Sequence, residues 1–484
     1  MKNLKYKMVL VALVIFGSGC SDNFLEEETF SQLSPKGMFQ TKKGAQSVLY
    51  GAYSRASNLF KDANFRLTEE WVCDQEWNTG GWVNRVYQQL QNFTWDSSTE
   101  WVSDWWDPAY GIIRNANSII DREEELPNDV RELYVAEARF LRVLAYRYLY
   151  SMYGPVPLRI SNNGPLEMPR STDEEMQNFI ENELLEIVSI LPEPGEEEIL
   201  GRANKGAALS LLCKFYLNTK QWSKCADTAQ DIIDLNYYQL FPDYNGLFKV
   251  ENNGNREMIF VFSSKVSGNW EGCVYINGWF PANFWKEPIS GFEYTSNMNN
   301  WGAQYRLFDD FYNSFEDNDA RQKSIITEYI NFNGDTVQLL GNNNSRSFKF
   351  WPDSKAIGMD HGNDVPHIRY ADILLAKAES LNELNGPNEE SIALINQVRN
   401  RAELGDITIN GFSSKEELRN QILKERGWEF YGEKIRREDL IRHSKLIEYA
   451  FNRGAVNAKE YHQLFPIPQS EMNANALMVQ NPGY

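Results

Sequence analysis

The run RELYVAEARFLRVLAYRYLYSMY, residues 131 to 153, repeats its apolar positions at helical spacing. Leu133, Ala136, Phe140 and Leu144 share one face, and Leu141, Ala145, Leu149 and Met152 widen it. Gly154, Pro155 and Pro157 then end the pattern. So broad a stripe predicts a helix buried against other helices. In KGAALSLLCKFYLNTKQWSKCADTAQDII, Ala207, Leu211 and Phe215 recur every four residues, a polar turn follows, and Ala226, Ala229 and Ile233 line a second helix. Small residues at the crossing let two antiparallel helices approach closely, the packing logic of a tetratricopeptide hairpin. HIRYADILLAKAESLNELNGPNEESIALINQVRNRA reads the same way, with Leu374, Ala378 and Leu381 outbound, Gly386-Pro387 turning the chain, and Leu394, Val398 and Ala402 returning.

Further helices are predicted at 39–60, 105–121, 172–191, 414–431 and 437–451, with a capping box from Ser413 and Glu416 or from Ser414 and Glu417. Trp101, Trp105 and Trp106 fall at helical spacing and are expected in the core. Residues 241–365 change character, becoming rich in Asn, Gly and aromatic residues with short β-like runs such as MIFVF. The fold class expected is mainly α, with tetratricopeptide-like hairpins over 20–240 and 366–484 and a long irregular insertion between them. Because the hairpins are far apart in sequence, the insertion is expected to interrupt the solenoid. Long loop-rich segments in compact proteins usually carry function.

Composition narrows the reading. Of 484 residues, 42% are hydrophobic and 13% aromatic, which excludes a disordered chain. The formal net charge of -19 argues against nucleic acid as a partner, since phosphate binding needs a basic footprint. Five cysteines and four histidines show no zinc spacing, and neither metal nor cofactor is expected. Cys213 and Cys225 read as buried free thiols on neighbouring helices, with a disulfide left open. EDNDAR, Glu316 to Arg321, lacks a complete calcium loop and reads as a solvated acidic turn.

The first residues look like an address. Lys2, Lys5 and Lys7 precede an apolar run from Met8 to Phe16, too short to span a bilayer, and Gly17-Ser18-Gly19 leads to Cys20. This is the form of a bacterial lipoprotein signal over residues 1–19, with Cys20 acylated and the acidic stretch to Glu28 acting as a tether.

AEARFLRVLAYRYLYSMYGPVPL, the helix at 203–217, HIRYADILLAKAESLNE, INQVRNRA and the ending LFPIPQSEMNANALMVQNPGY together resemble the SusD/RagB family of outer-membrane nutrient-binding lipoproteins. The resemblance covers nearly the whole chain from Cys20. It implies a helical tetratricopeptide scaffold anchored on the outer face of the outer membrane. It further implies capture of oligosaccharides, or of peptides in some branches, and their delivery to a TonB-dependent transporter of the SusC type. Where the family reads E-R-x-x-E-L-x-F-E-G-x-R-x-x-D-L, this chain keeps Glu425, Arg426, Glu429, Arg436, Asp439 and Leu440. Gly432 replaces the aromatic and Lys434 the glycine, so a structural charge network with an altered turn is expected.

Sugars present apolar C–H faces and polar rims, so a site for them needs flat aromatic platforms among amides and charged donors. Two stretches offer that mixture. In CDQEWNTGGWVNR the candidates are Trp77, Asn78, Trp82 and Arg85; in 265–305 they are Trp270, Trp279, Trp285, Tyr294 and Trp301, with Phe284 and Tyr305 alongside. Two readings of another class remain: a helical adaptor with no ligand site, and a glycoside hydrolase using carboxylates such as Asp74 and Glu76. No G-x-S-x-G, H-E-x-x-H or phosphate-loop motif occurs, and the chain is expected not to be an enzyme.

Overall fold

The computed structural model describes residues 35–62, 68–78, 88–302 and 304–484. The expectations for residues 1–19, Cys20, Trp82 and Arg85 fall outside them. The main helices are α1 (Lys42–Lys61), α2 (Ser103–Ile120), α3 (Arg131–Tyr153), α4 (Asp173–Val188), α5 (Lys205–Asn218), α6 (Trp222–Asp234), α7 (Tyr370–Asn385), α8 (Glu389–Arg401), α9 (Lys415–Phe430), α10 (Arg436–Arg442) and α11 (Leu446–Asn452). Each of α1 to α8 packs on the next, and α9 lies against α7. The apolar stripes expected from the sequence form one core, in which Trp101, Trp105 and Trp106 are buried together with Leu144, Leu211, Leu374 and Val398.

Local chemistry sets the helix ends. Thr172 and Glu175 form a reciprocal capping box at α4. At α9 the Ser414 hydroxyl accepts the Glu417 N–H, while the Glu417 carboxylate accepts from the N–H and hydroxyl of Ser413, so the reciprocal half moves back one residue. The single helix expected at 437–451 divides into α10 and α11. Ser444 adopts a φ of +56°, the Lys445 N–H donates to the Leu440 carbonyl and the Ser444 N–H to that of Ile441. That is a Schellman stop made by a serine, which periodicity cannot reveal because the apolar pattern runs on beyond it.

The insertion does not interrupt the scaffold in space. Although α6 ends at Asp234 and α7 begins at Tyr370, the two helices pack against each other. The chain leaves and returns through an antiparallel ribbon, β2 (Met258–Phe262) with β9 (Val365–Arg369), after β1 (Glu76–Trp77) in the early segment. β2 is buried along its length, with Phe262 stacked on Phe60 of α1 and Phe260 edge-on to Phe140 of α3. Beyond the ribbon lie β3 (Phe284–Lys286), β4 (Arg306–Leu307), β5 (Ile325–Ile326), β6 (Glu328–Asn331), β7 (Thr336–Gln338) and β8 (Arg346–Ser347). They pair as β3-β6-β7, β5-β8 and, returning to the early segment, β1-β4.

Charges bolt the insertion to α9. The Glu429 carboxylate meets Arg369, Arg401 and Arg321, and Glu257 meets Arg369 and Arg401. Glu433 meets Arg369 and Lys349, whose ammonium also donates to the carbonyls of Glu429 and Tyr431. On the scaffold side Arg426 joins Asp372 to Asp439, and Arg442 joins Glu379. The family motif is therefore a buried network, as expected. The turn 431–435 is altered too: Lys434, in the glycine position, holds a φ of +65°, its N–H donating to Glu70 and its ammonium to the Phe60 carbonyl. The EDNDAR segment is a solvated turn only at its tip, where Asp317 and Asn318 are exposed. Asp319 is buried on Arg321 and Glu316 pairs with Arg399, because both arginines need carboxylate partners where they are buried. Cys213 and Cys225 are free and buried, their sulfurs 3.8 Å apart.

Replacing Arg369 by Met should leave Glu257, Glu429 and Glu433 facing one another without their shared cation and cost about 3–5 kcal/mol, measurable by urea unfolding. Acid should also destabilise the fold. Burial alone raises the Glu429 carboxyl, but Arg401, Arg369 and Arg321 outweigh it and hold it at about 2. Its contribution is complete above the ordinary carboxylate range and is lost as pH falls towards 2. Burial pushes His361 and His462 down to about 4, so they stay neutral while the unfolded chain protonates, and their contribution is lost as pH falls from about 6.5. Glu69, raised by burial to about 7, works in the opposite sense. The urea midpoint is expected to fall from pH 7 to pH 3, and to fall more steeply above pH 4.5 in a Glu69→Gln variant.

Candidate saccharide site

The early segment is fixed before it reaches the surface. Both Asp74 oxygens accept from Arg436 of α10 at 2.8 and 2.7 Å, and the Gln75 side chain donates to the Gly427 carbonyl of α9. β1 then pairs with β4, placing Glu76 opposite Leu307 and Trp77 opposite Arg306. A two-residue ladder has little stability alone, so the contacts to α9 and α10 decide where Trp77 stands. The Trp77 indole N–H donates to the Asn343 carbonyl at 2.7 Å. Its ring stacks on Phe308, centroids 5.9 Å apart, and the Arg306 guanidinium lies 5.4 Å from its centre. Burial lowers the Arg306 pKa, although a guanidinium remains charged at neutral pH.

Tyr305, one residue before β4, gathers the remaining rings. Trp71, Trp279 and Trp301 meet it edge-on at centroid distances of 6.1, 5.6 and 6.2 Å. Its N–H donates to the Gly278 carbonyl and the Trp301 N–H to that of Asn277, so the two loops are stitched together. Gly278 is required there, because a Cβ would lie 2.3 Å from the Tyr305 ring. Beneath them Arg346 donates to the Tyr305 carbonyl and the Asn344 side chain. Burial and the neighbouring Arg306 lower the Arg346 pKa to about 9.

The nine expected ligand residues therefore separate. Trp77 and Trp301 are half-buried and share one cluster through β4 and Tyr305. Asn78 and Trp279 belong to the same neighbourhood but are buried, Trp279 at 3% exposure, and they support the cluster rather than face solvent. Trp270, Trp285 and Tyr294 lie elsewhere on the insertion. Trp82 and Arg85 are outside the described residues. Arg306 and Phe308 were not anticipated, and they declare themselves only through the β1-β4 pairing.

The carboxylates considered for hydrolysis are paired or buried. Asp74 is committed to Arg436, and Glu76 is 1% exposed. Among the described residues no group of three or more His, Cys, Asp or Glu is arranged to hold a metal ion.

Residues 349–484 match the SusD family, and residues 23–217 match the family described as starch-binding associating with outer membrane. The chain is similar to a SusD-like protein of Formosa agariphila, 26% identical with 99% of each chain covered. It is also similar to the starch-binding protein SusD of Bacteroides thetaiotaomicron, 26% identical over 83% of this chain and 82% of that one. Among solved structures, a laminarin-binding SusD-like protein shares the fold with a TM-score of 0.79 at 23% identity, covering 92% of this chain and 100% of that one.

Gly278→Ala should push Tyr305 away and loosen its contacts with Trp71, Trp279 and Trp301, costing about 1–3 kcal/mol. A lower melting temperature together with a weakened near-ultraviolet circular dichroism signal is the expected result.

Proposed function

The chain belongs to the SusD/RagB family, and from that premise we propose that it captures oligosaccharides without altering them, at the surface around Trp77 and Trp301. The observation that carries this reading is the join between two distant segments, residues 71–78 and 301–308, at a cluster of half-buried aromatic rings next to Arg306. A flat indole face binds the apolar side of a pyranose, and adjacent donors take its hydroxyls. The relatives named for starch and for laminarin are consistent with a carbohydrate ligand. Capture without turnover is supported by the engagement of Asp74 with an arginine and the burial of Glu76, the two carboxylates considered for hydrolysis.

In this reading residues 1–19 are removed, Cys20 carries lipid and holds the protein on the outer face of the outer membrane, and residues 20–484 act as one unit. A TonB-dependent transporter of the SusC type receives the glycan. Affinity is modest, because an open site keeps its water and polyol desolvation offsets much of the hydrogen-bond gain.

The test uses the soluble form lacking residues 1 to 20. Calorimetry against a panel of oligosaccharides should give binding that Trp77→Ala and Trp301→Ala each weaken about tenfold, roughly the 1.4 kcal/mol expected for losing one stacking face. Chromatography of the recovered sugar should return it intact. Unchanged affinity in both variants removes this surface from consideration, and shorter products would identify an enzyme instead.

A further inference from the structure

A guanidinium is expensive to bury unless a carboxylate is buried with it. Arg321, Arg346, Arg369, Arg426 and Arg437 are all fully buried. Four of them reach a carboxylate: Arg321 meets Asp319 at 2.6 Å, Arg369 meets Glu257 at 2.6 Å, Arg426 meets Asp372 at 2.8 Å, and Arg437 comes within 3.9 Å of Glu69. Among the described residues Arg346 has no such partner. Its two Nη atoms donate to the Tyr305 carbonyl and the Asn344 side-chain oxygen, each at 2.6 Å, while its Nε is buried with nothing to donate to. This cation lies directly beneath the aromatic cluster with its charge uncompensated, the kind of buried polar group that native proteins rarely keep without a use.

The strand register sets a second cation against it. Leu307 of β4 faces Ser345 in an antiparallel bridge, its N–H donating to the Ser345 carbonyl. One step along that bridge Arg306 stands opposite Arg346, and on the other side of β4 Trp77 stands opposite Arg306. Trp77, Arg306 and Arg346 therefore make one row across three segments, running from a half-buried indole to a fully buried guanidinium. Like charges placed opposite each other destabilise a ladder. Burial is the first cause that lowers the Arg346 pKa and Arg306 the second; only Tyr329 acts against them, and no carboxylate does. Both guanidiniums remain charged at neutral pH. The acidic residues nearby point to other work: Glu76 alternates to the face of β1 opposite Trp77, Asp309 accepts the Asn343 N–H, and Asp310 is exposed.

We propose that this row selects an acidic saccharide, whose carboxylate or sulfate oxygens are held by Arg306 while its sugar ring packs against Trp77 and Arg346 adds positive charge from behind. The assignment rests on the proposed function and names the class of sugar that the same surface takes. The planar fork of a guanidinium matches two oxygens of a carboxylate or a sulfate ester. Arg346 is a positioning charge and does not touch the ligand, because in a poorly hydrated interior a charge acts over several ångströms. Asn342 and Asn343 are exposed beside the row and offer amides to the remaining hydroxyls. A neutral sugar leaves the two guanidiniums facing each other; an acidic one brings the charge they lack. In a chain of formal net charge -19 the overall field repels an acidic polymer, so a local pair of cations also decides where such a polymer can land.

Matched ligands separate charge from shape. Calorimetry on the soluble form lacking residues 1 to 20 compares oligogalacturonates with their methyl esters, and sulfated carrageenan oligosaccharides with the same chains after desulfation, alongside neutral maltohexaose. The wild type should bind the acidic member of at least one pair about tenfold more tightly than its uncharged counterpart, and the pair that shows the preference tells carboxylate from sulfate. Arg306→Gln should bring that ratio close to one, and Arg346→Met should lower it by less. Because the ratio is read within each variant, a general loss of affinity does not imitate the effect, and the wild-type ratio decides the ligand class even where a variant fails to fold. Equal affinity within both pairs, or binding confined to uncharged sugars, overturns the acidic assignment and leaves saccharide capture standing. A preference that survives Arg306→Gln intact overturns the role given to the row. If the wild type binds no sugar, charged or neutral, both readings fall together.

Discussion

The structure depends on how a small number of carboxylates on α9 and its following turn share buried guanidinium groups. Glu429 alone meets arginines from three places: β9 at the neck of the insertion, the end of α8, and Arg321 within the insertion itself. Taking such charges out of water is expensive, and the cost is offset only when every partner is in position. The pairing therefore acts as a constraint on registry. The insertion can sit on the scaffold in one way, because any other arrangement strands several ions in the interior.

That constraint reaches the surface through short connections. Arg436 follows α9 closely and grips Asp74, which leads directly to Glu76 and Trp77. Arg346 and the β4 backbone hold Tyr305 from the other side. The loops that expose indole rings are thus anchored by polar contacts to the rigid helices. This reconciles a nearly structureless sequence with a surface of fixed geometry, the condition under which an open site binds a flexible polymer without losing its affinity to loop ordering. Lys434 belongs to the same joint. It takes a left-handed conformation that a glycine would adopt at no steric cost, and its contacts to Glu70 and Phe60 tie the turn to the segment leading into Trp71.

The helices were legible because burial on one face leaves a period of 3.6 in the apolar positions. Residues 131–153 were delimited to the residue, and both hairpins lie where their small residues place them. The failures have equally local causes. At Ser444 a hydrogen-bonded stop overrides a continuing apolar pattern. Within an acidic run that looks solvated, Asp319 is internal, because its arginine partner completes the α9 network. The candidate site was legible as regions and amino-acid types. Trp77 and Trp301, 224 positions apart, share nothing in sequence that brings them together.

By itself, the sequence determined the helical scaffold, the charged motif of α9 and α10, and an insertion rich in rings and amides. All of these are written in local periodicity, composition or motif. Only the tertiary structure decided that α6 meets α7 across the whole insertion, that β1 pairs with β4, and that Trp279 is buried while Trp270 is displayed. The physical reason is that exposure and proximity are properties of the packed whole. An indole has the same letter whether it fills a core or stands in water, and the choice is made by partners far along the chain.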